Sequence, residues 1–169
     1  MKNDLSPAPL HPVVGHALGA KVLFLDIDGV LNSTERARSG IPYSVLMPEG
    51  LAFLHHLVSN GVRIVVSSTW RRGMSVKQLS EALMVPVADI TPISKFNSSR
   101  GAEIQAWLDA NRSPEYCIID DDSDILQGQR SRFVQTLCEF GMQPWHMDEV
   151  CRVLSLMPNT EWTARGVPE

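Results

Sequence analysis

The chain has 169 residues, 44% of them hydrophobic and 20% charged, with a formal net charge of −4. That composition suits one globular domain with a sizeable core. The charge argues against a general nucleic-acid coat protein, and no apolar stretch approaches the length needed to span a bilayer.

Residues 1–19 hold three prolines and no continuous apolar block. They do not read as a secretory leader and are expected to form a flexible tail before a domain at residues 20–158. KVLFLD, residues 21–26, is an apolar run closed by a carboxylate, as in a strand buried on both faces. Pro48 opens a helix with Leu51, Leu54, Leu57 and Val58 at helical spacing, and Asn60-Gly61 stops it. VRIVVSS, residues 62–68, reads as a second strand. Ser75 and Gln78 have capping-box spacing ahead of Leu79 and Leu83. A short third strand is expected within residues 85–93, between Pro86 and Pro92.

Ser98 or Ser99 is expected to cap a helix carrying Ile104, Trp107 and Leu108. YCIID, residues 116–120, is a fourth strand, and RFVQT, residues 132–136, a fifth. Asp148 and Glu149 are expected to begin a last helix with Val150, Val153, Leu154 and Met157 on one face. Pro158 would end it, leaving residues 159–169 as a second tail. The alternation predicts an α/β fold: a three-layer, Rossmann-like parallel sheet of about five strands with helices on both faces. Cys117, Cys138 and Cys151 lack metal-ligand spacing and lie in apolar contexts. They are expected as buried free thiols, which favours a reducing cytoplasm.

Ligands of such sheets bind beyond the carboxyl ends of the strands. Asp26, Ser67 and Asp120 each close a predicted strand, so three segments deliver polar groups to one edge. In Asp26-Ile27-Asp28-Gly29, two carboxylates leave a buried strand and glycine permits a sharp turn. A helix-loop-helix calcium loop would need a glutamate eleven residues after Asp26, where the chain has Ala37. His55, His56 and His146 lack ligand spacing and are assigned no role.

LFLDIDGVLN, VVSSTWR and CIIDDDSD together resemble the first, second and fourth motifs of the haloacid-dehalogenase-like (HAD) hydrolases, over roughly residues 21–157. The resemblance implies a phosphatase with Asp26 as nucleophile and Asp28 as acid and base. It implies Mg²⁺ held by Asp26, Asp120 or Asp121 and the Asp28 carbonyl. Ser67, with Ser68 as the alternative, would donate to a phosphate oxygen. Arg100 or Lys95 would supply the fixed cation. Trp70 and Arg71 follow the second strand and are expected at the pocket rim.

The intervals after the first and second motifs are too short for a large cap. An open site with at most a small flap near residues 32–46 is expected. The compact domain is similar to HAD domains associated with RNA repair, which implies a phosphorylated nucleic acid or nucleotide as substrate. Arg36, Arg38, Arg71 and Arg72 would meet its backbone and Trp70 a base. The alternatives are a small-molecule phosphomonoesterase or nucleotidase, and a catalytically silent nucleic-acid or protein-binding domain on the same scaffold.

Overall fold

A computed structural model of the chain describes residues 20–94, 99–112 and 115–157. The expected tails at 1–19 and 159–169, together with Lys95, Ser98 and Pro158, lie outside the described residues. Five strands form one sheet: β1 (Lys21–Leu25), β2 (Val62–Val66), β3 (Val87–Ile90), β4 (Glu115–Asp120) and β5 (Phe133–Gln135). Their order is β3-β2-β1-β4-β5 and every pairing is parallel. The helices are α1 (Thr34–Arg38), α2 (Pro48–Ser59), α3 (Val76–Leu83), α4 (Arg100–Ala110) and α5 (Pro144–Val153). The architecture is therefore the three-layer, Rossmann-like α/β fold that strand–helix alternation predicts.

Side-chain alternation along the strands sorts the core into two layers. Leu23, Leu25, Ile64, Val66 and Ile119 pack with Phe53 and Leu57 of α2, Leu79 of α3 and Val150 of α5. Val22, Phe24, Val65 and Ile118 point the other way, onto Ile104, Trp107 and Leu108 of α4. Phe24 meets the Trp107 ring edge-on at 5.3 Å. Burial on both faces is why these strands read as continuous apolar runs.

The helix boundaries follow local chemistry. Pro48 stands in the first turn of α2, and Gly61 takes the left-handed φ of +80° just past its end. The Ser75–Gln78 capping box closes the start of α3. Ser99, not Ser98, caps α4, accepting from the Ala102 N–H at 3.2 Å. Helix α5 begins at Pro144, a turn before the expected Asp148, because that proline is pre-set for a first helical turn. It ends before Met157, which is 85% exposed. Ser155 takes φ +49°, and the N–H groups of Ser155 and Leu156 turn back to the carbonyls of Arg152 and Cys151. The flanking strands β3 and β5 are shorter than the apolar runs at 85–93 and 132–136 suggest. Cys117 and Cys151 are buried free thiols, whereas Cys138, expected inside, is exposed on a turn closed by the Leu137–Gly141 bridge. Among the described residues, no helix is long and apolar enough to cross a membrane.

Candidate active site

The chain runs outward from β1 to β2 and β3, then returns to place β4 on the other side of β1. A sheet with this reversal has a crevice at the carboxyl ends of the two strands flanking the switch, here β1 and β4. The ladder extends past both strands: the Asp26 N–H donates to the Ile119 carbonyl at 3.0 Å, and the Ser67 N–H to the Leu25 carbonyl at 2.9 Å. Asp26, Ser67 and Asp120 are thereby fixed by backbone hydrogen bonding rather than carried on free loops.

Carboxylate oxygens of Asp26, Asp120 and Asp121 all lie within 4.8 Å of one another. Burial pushes the Asp26 carboxyl above its ordinary range, despite the opposing pull of Arg100 and a hydrogen bond from Ser68. Burial, and then the charge of Asp26, push Asp120 up to about 7. Arg100 answers part of this charge. Its Nη1 lies 2.8 Å from Asp26 Oδ1 and 3.2 Å from Asp120 Oδ2, and donates to the Ser67 carbonyl at 2.6 Å. Among the described residues, Asp120 Oδ2 nevertheless accepts no hydrogen bond, and the buried Ser67 hydroxyl has no partner. Three hard oxygen donors with one buried oxygen left over fit a small divalent cation such as Mg²⁺. Asp26, Asp120 and Asp121 are the side chains that would hold it.

Gly101 explains how Arg100 reaches this pole. A Cβ there would meet the Leu126 nitrogen at 2.4 Å, so only glycine lets the start of α4 press against the loop after β4. The Gly101 N–H donates to the Asp124 carbonyl at 2.9 Å, and Gln129 bonds the Gly101 carbonyl.

Asp28 turns away from the carboxylate cluster. Its Oδ1 accepts from Asn32 Nδ2 at 2.7 Å and its Oδ2 from the Trp70 indole at 2.9 Å. Asn32 is itself pinned, accepting from the Gly29 N–H at 2.8 Å and donating to the Tyr43 carbonyl at 2.9 Å. The Thr136 hydroxyl holds the Gly29 carbonyl at 2.8 Å. The Tyr43 phenol is pushed up by burial, by Cys138 and by the charges of Asp28 and Asp121, so it belongs to the same mouth. Asn32, Tyr43 and Thr136 escaped sequence reasoning. Asn32 alone left a trace there, as a polar residue one helical turn after Asp28 in an apolar run.

The structure adds to the expectation for Trp70 and corrects those for Arg71 and Ser68. Trp70 does more than line a rim, because its indole N–H orients Asp28. Arg71 is not at a rim at all. It is 4% exposed, pairs with Glu103, and donates to the Ser67, Ser68 and Thr91 carbonyls, so four of its five N–H groups are turned inward. Ser68 is also fully buried, and its hydroxyl accepts from the Trp70 N–H. The expected flap is α1 and its flanking turns. It is tied down where the Thr34 and Glu35 N–H groups donate to the carbonyls of Cys138 and Glu139, both at 3.0 Å.

Residues 22–147 match the family model described as the HAD domain in Swiss Army Knife RNA repair proteins. The chain belongs to this family. The scaffold is thus that of the HAD phosphohydrolases. No curated protein matches the chain significantly. One crystal structure shares 15% identity over 83% of this chain and 86% of its own, with a TM-score of 0.44, a likeness too loose to bear on function.

Proposed function

We propose that this HAD domain is a phosphoric monoester hydrolase that uses Asp26 as nucleophile and Mg²⁺ as cofactor. The observation that carries the reading is the convergence of Asp26, Asp120 and Asp121 within 4.8 Å beside Arg100, at the switch point of the sheet. Asp26 attacks phosphorus, the bond to the leaving oxygen breaks, and Asp28 delivers a proton to that oxygen. Water then attacks the aspartyl-phosphate, Asp28 takes its proton, and Asp26 is released with inorganic phosphate. The Ser67 hydroxyl, unpartnered among the described residues, and the Arg100 guanidinium are the donors for the phosphoryl oxygens. Bound Mg²⁺ would screen the repulsion between Asp26 and the incoming phosphate. Lys95 remains the alternative cation.

The family's setting in RNA repair supports a phosphorylated nucleic-acid end or nucleotide as substrate. The short α1 segment, where larger cap domains would insert, leaves room for one. The free thiols suit a reducing, cytoplasmic setting. The test is turnover of a chromogenic phosphate ester, with and without Mg²⁺, by the wild type and Asp26→Asn, followed by a panel of sugar phosphates, nucleotides and phosphorylated oligonucleotides. Metal-dependent turnover lost in the variant is expected. A wild type inactive across the whole panel would return the chain to the silent binding-domain reading, and preference for small sugar phosphates to the generic phosphomonoesterase.

A further inference from the structure

Arg71 and Glu103 take no part in the chemistry above, yet both are charged and nearly fully buried. A buried ion pair is a poor device for stability. Its desolvation cost offsets the mutual attraction, and apolar residues of similar volume often do as well. What this pair does is connect. Arg71 Nη1 donates to the Ser67 and Ser68 carbonyls, the latter at 2.7 Å, and Nε donates to the Thr91 carbonyl at 3.1 Å. Its Nη2 pairs with one oxygen of Glu103, whose other oxygen accepts from the Ser94 N–H at 3.0 Å. One guanidinium therefore fastens the carboxyl ends of β2 and β3 to α4.

The two groups proposed to grip phosphate sit on the parts being fastened. Ser67 closes β2, and its carbonyl also accepts from Arg100. Arg100 lies one turn before Glu103 on α4. A slip between β2 and α4 would separate the Ser67 hydroxyl from the Arg100 guanidinium. We propose that Arg71 and Glu103 are positioning residues that hold Ser67 and Arg100 in register for a single phosphoryl group. This rests on the phosphohydrolase reading. The planar fork of arginine reaches four acceptors at fixed angles, which a lysine ammonium would not reproduce.

The test compares the wild type with the double variant Arg71→Met/Glu103→Met. The measurements are melting temperature, Mg²⁺ affinity by calorimetry, kcat and KM on p-nitrophenyl phosphate, and inhibition by inorganic phosphate. The variant is expected to fold and to bind Mg²⁺ as the wild type does, since the three carboxylates are untouched. Its KM and its inhibition constant for phosphate should each rise by about tenfold or more, as misplacement of binding groups dictates. A folded double variant with wild-type turnover and phosphate inhibition would overturn the proposal. Should that variant not fold, Glu103→Gln keeps the shape and removes the charge. A several-fold weaker inhibition by phosphate is then expected, and an unchanged constant overturns the proposal. A wild type that neither hydrolyses the ester nor binds phosphate would defeat the phosphohydrolase reading itself, a different result.

Discussion

Replacing Gly29 with alanine separates backbone strain from metal binding. Gly29 has φ +74°, and an added Cβ would lie 2.3 Å from Asp121 Oδ2. The left-handed backbone alone costs an L-residue about 1–2 kcal/mol. For a chain of this length that lowers Tm by about 2–8 °C. The contacts are with Asp121 Oδ2, Cγ at 2.5 Å and Cβ at 3.0 Å, and side-chain rotation can relieve the first two. That rotation takes one carboxylate out of the acidic cluster, and Mg²⁺ affinity should fall by about tenfold or more. Gly61→Ala is the control. Its φ is +80° and no described atom lies within 4 Å of the added carbon, so it carries the strain without the collision. Thermal unfolding and calorimetric Mg²⁺ titration of both variants are the assays. Similar Tm losses with a metal defect confined to Gly29→Ala are expected. Equal Mg²⁺ affinity in both variants would show that Asp121 is no ligand.

Trp70→Phe keeps the ring but removes the indole N–H from Asp28, a bond to a charged group worth about 1.5–3 kcal/mol. If that bond orients Asp28 for proton transfer, kcat should fall about tenfold or more with little change in Mg²⁺ affinity, measured by steady-state kinetics and calorimetry. Asp120, pushed to about 7, is protonated in the metal-free fold well above its unfolded range. Its contribution to metal-free stability is full below about pH 4 and is lost as pH rises through 7. Mg²⁺ affinity should run the opposite way, climbing to about pH 7 with proton release, as titration in buffers of different ionisation enthalpy will show. A thiol reagent should label Cys138 in the native protein and reach Cys117 and Cys151 only on unfolding, read by mass spectrometry.

The sequence exposes what is local. Apolar runs closed by Asp26, Ser67 or Asp120 name the strand ends, and parallel pairing then sends those ends to one edge. Capping chemistry at Ser75, Ser99 and Gly61 needs only neighbours a few residues away. The role of Arg71 is not local. It follows a strand beside Trp70 and looks like a rim residue, but its partner Glu103 lies 32 positions along the chain and only the crossover through β3 brings them together. The Trp70–Asp28 bond spans 42 positions and is hidden for the same reason. Cys138 sits in an apolar context, yet it occupies a tight turn whose backbone serves α1 while its side chain faces solvent. The start of α5 was available locally, in Pro144, and was masked by the more conspicuous acidic pair four residues on.

The order of the strands also sets when the acidic pole can exist. Of the strands, β1 is made first and finds β2 after two helices, α1 and α2, but its other neighbour, β4, begins only at Glu115. Until then Asp26 lies at the edge of an incomplete sheet, without Asp120 and Asp121 beside it. A nascent chain interrupted before that point has the proposed nucleophile and lacks its crevice, because the β1–β4 pairing that builds it is the widest in sequence of the sheet's pairings.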